Sequence, residues 1–352
     1  MESKTSKTAA QSNNGGQPAD AKVAVQLCSL ALDLNIVNDI GKLMPGWQVV
    51  WKGKPTIDDN YAFIAFNASE KKYALIIRGS VFDGFKSWDT FANWVLEDLN
   101  AIVMLSWPYA PTTQKPLIAA GAYIAFTNLL FMEDSMGSGK SIGEYLLTHA
   151  IEAGNSLIIA GHSLGGNIAN VFASYFVQML LDRKLSVSKV SLVTFAAPAS
   201  GNGDFALDLD NKLTTAWHYE NQNDMVPKFP CVAGLIYTSN TFAPKTPNAN
   251  LITVTFNPKT ITLNGPNLTL HDAYMAMAGI FAKNNYMQPI KNNYITFPTE
   301  LNPNLTENSI TDWLGQVGPQ HQLNYYADFL GVALPVPVAK PATAAAAAAA
   351  LA

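Results

Sequence analysis

Hydrophobic and polar positions alternate along this chain in stretches that match first a helix, then strands, then strands and helices in turn. Residues 21–40 carry Val25, Cys28, Leu32 and Ile36 at helical spacing. Three strand-like runs follow, at 47–51, 61–67 and 73–77. The second sets Tyr61, Phe63 and Ala65 on one side, and its other side is also apolar, as for a strand buried on both faces. Gly137, Gly139 and Lys140 break the chain before a helix expected over 141–153. The short apolar run 156–160 predicts another strand covered on both faces. Residues 164–181 predict a helix with Ile168, Val171, Phe172, Tyr175 and Met179 inward, and 190–195 and 214–219 predict two further strands. Strands alternating with helices imply an α/β layer fold around a mostly parallel central sheet flanked by helices.

No internal repeat or mid-chain linker interrupts this pattern, so residues 21–336 are expected to form one domain. Residues 1–20 are small and polar, without the apolar stretch of a secretory signal, and are expected to be a disordered leader. Residues 337–352 read as a Pro/Ala-rich tail. The long apolar stretch 116–132 is interrupted by Thr127 and Asn128 and is short for a membrane span, so the expectation is a soluble protein without a transmembrane segment. With 352 residues, 49% of them apolar, the chain can bury a large core. A net charge of −4 gives no basic footprint for nucleic acid. Two distant cysteines and five scattered histidines offer neither a disulfide framework nor a metal site, and no cofactor is implied.

One short segment carries chemistry. Gly161-His162-Ser163-Leu164-Gly165-Gly166 contains the pattern Gly-x-Ser-x-Gly, and it lies between a predicted strand and a predicted helix. Glycines allow the sharp turn that presents a serine hydroxyl, and the following helix offers free N–H groups and a positive dipole end beside a developing oxyanion. Ser163 is therefore the candidate nucleophile of a carboxylic-ester hydrolase.

Several motifs in this order resemble the class 3 lipase family of α/β-hydrolases, which includes the filamentous-fungal triacylglycerol lipases. They are ALIIRGS at 74–80, NWVLEDL at 93–99, GHSLGG at 161–166, FAAPASGNGDF at 195–205 and NQNDMVPKFP at 221–230. The resemblance implies an α/β-hydrolase fold and hydrolysis of acylglycerol esters through an acyl-enzyme on Ser163. It implies Asp224 as the acid, and Ser80 and the N–H of Leu164 as oxyanion-hole donors. Arg78 is expected to be structural, paired with Asp98, and His162 to face away from the site. The base should follow the acid in the chain, which leaves His271 and His321. His321 stands after Gly318-Pro319 and before the last helix, and residues 321–325 resemble a His-x-x-x-Tyr segment of some relatives. His321 is thus the favoured base and His271 the alternative. Residues 81–95 put Phe85, Trp88, Phe91, Ala92 and Val95 on one arc of a helix, where the family carries its lid. A lipid or other ester, met at a lipid–water interface, is the implied substrate. A non-lipase esterase, a phospholipase A1 and an inactive binding member of the fold are the other readings.

Overall fold

The computed structural model describes residues 18–33, 35–56, 60–79, 100–111, 114–241, 251–256, 259–264, 269–305 and 310–335. The central sheet has seven strands, and its spatial order follows the chain. They are β1 (Trp47–Lys52), β2 (Ala62–Asn67), β3 (Lys72–Ile77), β4 (Ser156–His162), β5 (Val190–Phe195), β6 (Ala216–Asn221) and β7 (Asn293–Phe297). β1, β2 and β3 form an antiparallel meander, and every pairing from β3 to β7 is parallel. The fold is α/β, with a mostly parallel sheet between two helical layers.

The helices, in chain order, are α1 (Ala19–Ser29), α2 (Ile36–Leu43), α3 (Ala120–Leu130), α4 (Ile142–Leu146), α5 (Leu164–Asp182), α6 (Gly203–Lys212), α7 (Val232–Thr238), α8 (Leu270–Phe281), α9 (Ile310–Gln320) and α10 (Leu323–Leu330). Alternation along the strands assigns them to faces. Ile158 and Ala160 of β4 pack in one cluster with α1, α2 and α10, whereas Leu157 and Ile159 pack in the other with α3, α5 and α8. All six residues of β5 are buried, as expected of a central parallel strand. α5 is long and apolar enough to cross a membrane by length and composition, but 78% of its apolar window is buried inside the protein. It is the core helix behind β4.

Two local expectations differ from the structure. The single helix over 21–40 is two helices, and Leu32, expected inward, is 56% exposed in the turn between them. The Asp33 carboxylate accepts the N–H of Asn35 at 2.8 Å, a side-chain turn that competes with helix continuation. α1 also begins at Ala19, two residues before the expected start of the domain. The helix expected over 141–153 is capped as its sequence suggests. Ser141 and Glu144 form a reciprocal capping box, but after α4 the chain widens into a π-helix over Leu147–Ile151.

Candidate active site

β4 ends at His162 and α5 begins at Leu164, so Ser163 is the whole connection. It adopts φ 60° and ψ −132°, a conformation that costs a non-glycine residue about 1–3 kcal/mol. The surroundings over-determine it. The Ser163 N–H donates to the Phe195 carbonyl at 2.9 Å, and the Ser163 carbonyl accepts from Gly166 at 3.0 Å and Asn167 at 3.1 Å. Glycine is required on both sides: a Cβ on Gly161 would enter the Gly165 backbone, and one on Gly165 would enter the carbonyl of Ile77. The motif thus seats the first turn of α5 directly on the end of β3.

Two residues distant in the chain meet this serine in line. His321 Nε2 lies 2.9 Å from Ser163 Oγ, and His321 Nδ1 lies 2.8 Å from Asp224 Oδ2. Asp224 is fully buried, and His321 is 3% exposed. An ionised carboxylate only accepts, so Nδ1 carries the proton and Nε2 presents its lone pair to the serine hydroxyl. The carboxylate is held at both oxygens. Asp224 Oδ1 accepts from the Val226 N–H at 2.9 Å, and Oδ2 accepts from the Tyr326 hydroxyl at 2.9 Å. Tyr326 in turn accepts the Asn221 N–H at 3.2 Å, which ties α10 to the end of β6.

His321 occupies the turn between α9 and α10, and a polar cluster fixes that turn. The Asn221 side-chain amide donates to the carbonyl and to Oε1 of Gln320, each at 2.8 Å. The Thr299 hydroxyl lies 2.7 Å from Asn221 Oδ1 and 2.5 Å from Gln320 Oε1. The start of the Asp224 loop, the segment just after β7 and the end of α9 are therefore hydrogen-bonded together immediately before His321. Gly318 and Pro319, residues that ordinarily mark loops, lie in the last turn of α9.

His162 does not simply face away. It shares the face of Ile158 and Ala160, the side from which α10 brings His321, and the two imidazole rings lie 4.6 Å apart. Its Nε2 donates to the His321 carbonyl at 2.8 Å. Burial, and secondarily the neighbouring His321, hold the His162 pKa well below the usual imidazole value, so it stays a neutral donor.

The other histidines are occupied elsewhere. His271, on the first turn of α8, has Nδ1 3.0 Å from the Ser239 carbonyl. His218 is buried on β6 beside the Thr194 hydroxyl, at 2.8 Å, and burial lowers its pKa to about 3. His149 stacks on Tyr145. Arg78 lies over the Tyr61 ring at 4.9 Å. Ser80, Asp98 and the amphipathic segment 81–95 lie outside the described residues.

Tyr326 is the hydrogen-bond partner of Asp224 that sequence reasoning missed. The expected His-x-x-x-Tyr tyrosine, Tyr325, is half-buried, and its neighbour Tyr326 is fully buried against Asp224. The signal was the tyrosine pair itself, since on a short helix only one of two adjacent positions can face the sheet.

The chain as a whole has counterparts among known proteins. The family model "Lipase (class 3)" matches residues 49–233, just over half of the chain. Lipase ZK262.3 of Caenorhabditis elegans is 35% identical over 81 residues, which cover 23% of this chain and 22% of that protein. The match thus spans about a fifth of that relative. The crystal structure of M37 lipase superposes with a TM-score of 0.65 at 20% identity, covering 88% of this chain and 91% of that one, and shows a shared α/β-hydrolase fold. A Rhizomucor miehei lipase propeptide complex superposes with a TM-score of 0.47 at 18% identity, over 74% of this chain and 76% of that one. With the family model matched over more than half of its length, this chain belongs to the class 3 lipase family.

Proposed function

We propose that this protein is a serine carboxylic-ester hydrolase that cleaves acyl esters of lipids, acylglycerols first among them, through an acyl-enzyme on Ser163. The observation that carries the reading is the unbroken contact from Asp224 to His321 to Ser163, at 2.8 Å and 2.9 Å, on buried side chains. In this reading His321 Nε2 takes the Ser163 proton as Oγ attacks the ester carbonyl carbon. The tetrahedral oxyanion then collapses, the C–O bond breaks, and His321 returns the proton to the leaving alcohol. Water, activated by the same nitrogen, releases the acid and regenerates Ser163. Asp224 holds the tautomer and faces the imidazolium that forms at each proton transfer.

Leu164 supplies one oxyanion donor, because N–H groups of a helix's first turn have no partner within the helix. Ser80 supplies the second in this proposal. Its neighbour Gly79 already abuts the elbow, where an added Cβ would stand 3.3 Å from the Ser163 Cβ. The segment 81–95, directly after Ser80, would be the lid, its aromatic arc covering the acyl site in water and turning to lipid at an interface.

A fluorophosphonate probe tests the first part. Labelling of Ser163 in the folded chain, abolished in Ser163→Ala, is expected, and an unlabelled serine would leave a binding member of the fold. Emulsified long-chain triacylglycerol tests the second. Activity rising steeply above the solubility limit supports the lipase reading. Equal rates on dissolved and emulsified esters reduce it to a plain esterase, and selective release of the first acyl chain of phospholipids favours a phospholipase A1.

A further inference from the structure

On the α5 side of the sheet, beyond the acid loop, a cavity of about 780 Å³ opens between the β6–β7 edge, α7 and residues 282–290. No residue of the Ser163 site lines it. Its volume lies within the ~300–1,000 Å³ of sites that enclose small organic ligands. Burial orders the lining into two ends. Half-buried Glu220 and Tyr294 and buried Lys228 form the floor, while Ala233, Met287 and Ile290 are exposed at the rim beside the polar Gln222, Asn285 and Thr296. Ile290 is 60% exposed and Met287 42%, an apolar portion of the rim that water covers poorly.

The floor is ionic but neutral in sum. Lys228 Nζ donates to Glu220 Oε1 at 2.6 Å, and the Tyr294 hydroxyl donates to Glu220 Oε2 at 2.5 Å. Lys228 spends a second N–H on the Asp224 carbonyl at 3.0 Å. An ionic head group entering here would meet a member of the pair with its own sign, and would lose its hydration without a free counter-charge. A hydroxyl meets no such conflict. It can donate to a remaining lone pair of Glu220 and accept the third N–H of Lys228 or accommodate the Tyr294 oxygen.

We propose that this cavity is a second ligand site, separate from Ser163, for a neutral single-chain amphiphile whose hydroxyl head sits on the Glu220–Lys228 pair and whose tail leaves past Met287 and Ile290. The site is independent of the hydrolase reading, because binding needs no turnover.

Cys231 lines the cavity half-buried and is a native reporter. Burial pushes its thiol up to about 12, so its alkylation is slow and is best followed over hours at alkaline pH. The full chain is treated with iodoacetamide in the presence of 1-decanol, decanoate or decyltrimethylammonium, each kept monomeric, and Cys231 modification is read by peptide mapping. Decanol is expected to slow modification at least tenfold and to bind at least tenfold more tightly by calorimetry than either ion. Ala233→Trp, which fills the cavity from an exposed helix position, is expected to weaken decanol binding at least tenfold. Should that variant fail to fold, Ile290→Ser at the exposed rim is expected to weaken it several-fold. Absence of Cys231 protection by decanol, equal protection by decanoate, or unchanged decanol affinity in the folded rim or filling variant would each overturn the proposal.

Discussion

Replacing Asp224 with asparagine changes one atom in size and charge, and the hydrogen bonds around it dictate the outcome. The Oδ1 position accepts the Val226 N–H at 2.9 Å, so the amide oxygen must stay there. The amide NH₂ then occupies the place of Oδ2, facing His321 Nδ1 and the Tyr326 hydroxyl. Tyr326 can rotate its proton and accept. The imidazole cannot be so accommodating: to accept at Nδ1 it must carry its proton on Nε2, the nitrogen 2.9 Å from Ser163 Oγ. His321 then donates to the serine and cannot take its proton. The expected fall in kcat/KM is about 10⁴-fold, equivalent to about 5 kcal/mol of transition-state stabilisation. The thermal midpoint should fall only modestly, because packing is preserved while the Tyr326 hydroxyl proton loses its acceptor. The assay is hydrolysis of a soluble p-nitrophenyl ester at pH 7.5, with Asp224→Ala measured in parallel. The alanine variant leaves the ring free to choose its tautomer, so it should be no worse than asparagine despite the lost volume. An Asp224→Asn variant within tenfold of the parent, or an alanine variant far below it at equal folding, would refute the tautomer argument.

Four further substitutions separate roles that the geometry distinguishes. His321→Ala should lose at least about 10⁴-fold in turnover, while His271→Ala, which removes only a contact to the Ser239 carbonyl, should stay within about threefold; ester hydrolysis with the reverse pattern would transfer the base to His271. Tyr326→Phe strips a donor from Asp224 and leaves the buried Asn221 N–H without its acceptor. A stability loss of about 1–3 kcal/mol in urea is expected, together with a fall in kcat at little-changed KM, because the carboxylate that orients His321 loses one of its anchors. An unchanged kcat would reduce Tyr326 to packing. His218 is buried neutral, with a folded pKa of about 3 against an ordinary 6.5. The unfolded chain binds its proton first, so the stability that neutrality confers is present above about pH 6.5 and is lost as pH falls toward 3. His218→Phe should shrink the difference in unfolding free energy between pH 7.5 and 4.5 by about 2–3 kcal/mol, and an unchanged difference in urea titrations would argue against a buried neutral His218.

The Ser163 elbow was legible in the sequence because everything that makes it is local. A buried strand, a turn that only glycine-flanked chain can make, and an apolar-faced helix are written in consecutive residues 156–182, and β4, the elbow and α5 occupy that stretch. The strands at 47–51, 61–67, 73–77 and 190–195 were readable for the same reason, since a strand buried on one or both faces shows it in its own composition. β7 was not: Asn293-Tyr294-Ile295-Thr296-Phe297 is short, polar-rich and at the sheet edge, so only its pairing with β6 makes it a strand. The order of the chain limited the base to His271 or His321 and could go no further. Those residues are equally acceptable helix-start histidines by local pattern. What separates them is distance across 158 residues of chain, set by the packing of α10 on the sheet and by the Asn221, Thr299 and Gln320 cluster that fixes its entry turn. Periodicity tells which side of an element is buried. Which partner it is buried against, and so whether a given histidine, tyrosine or lysine reaches the acid loop, is decided only when non-neighbouring elements pack.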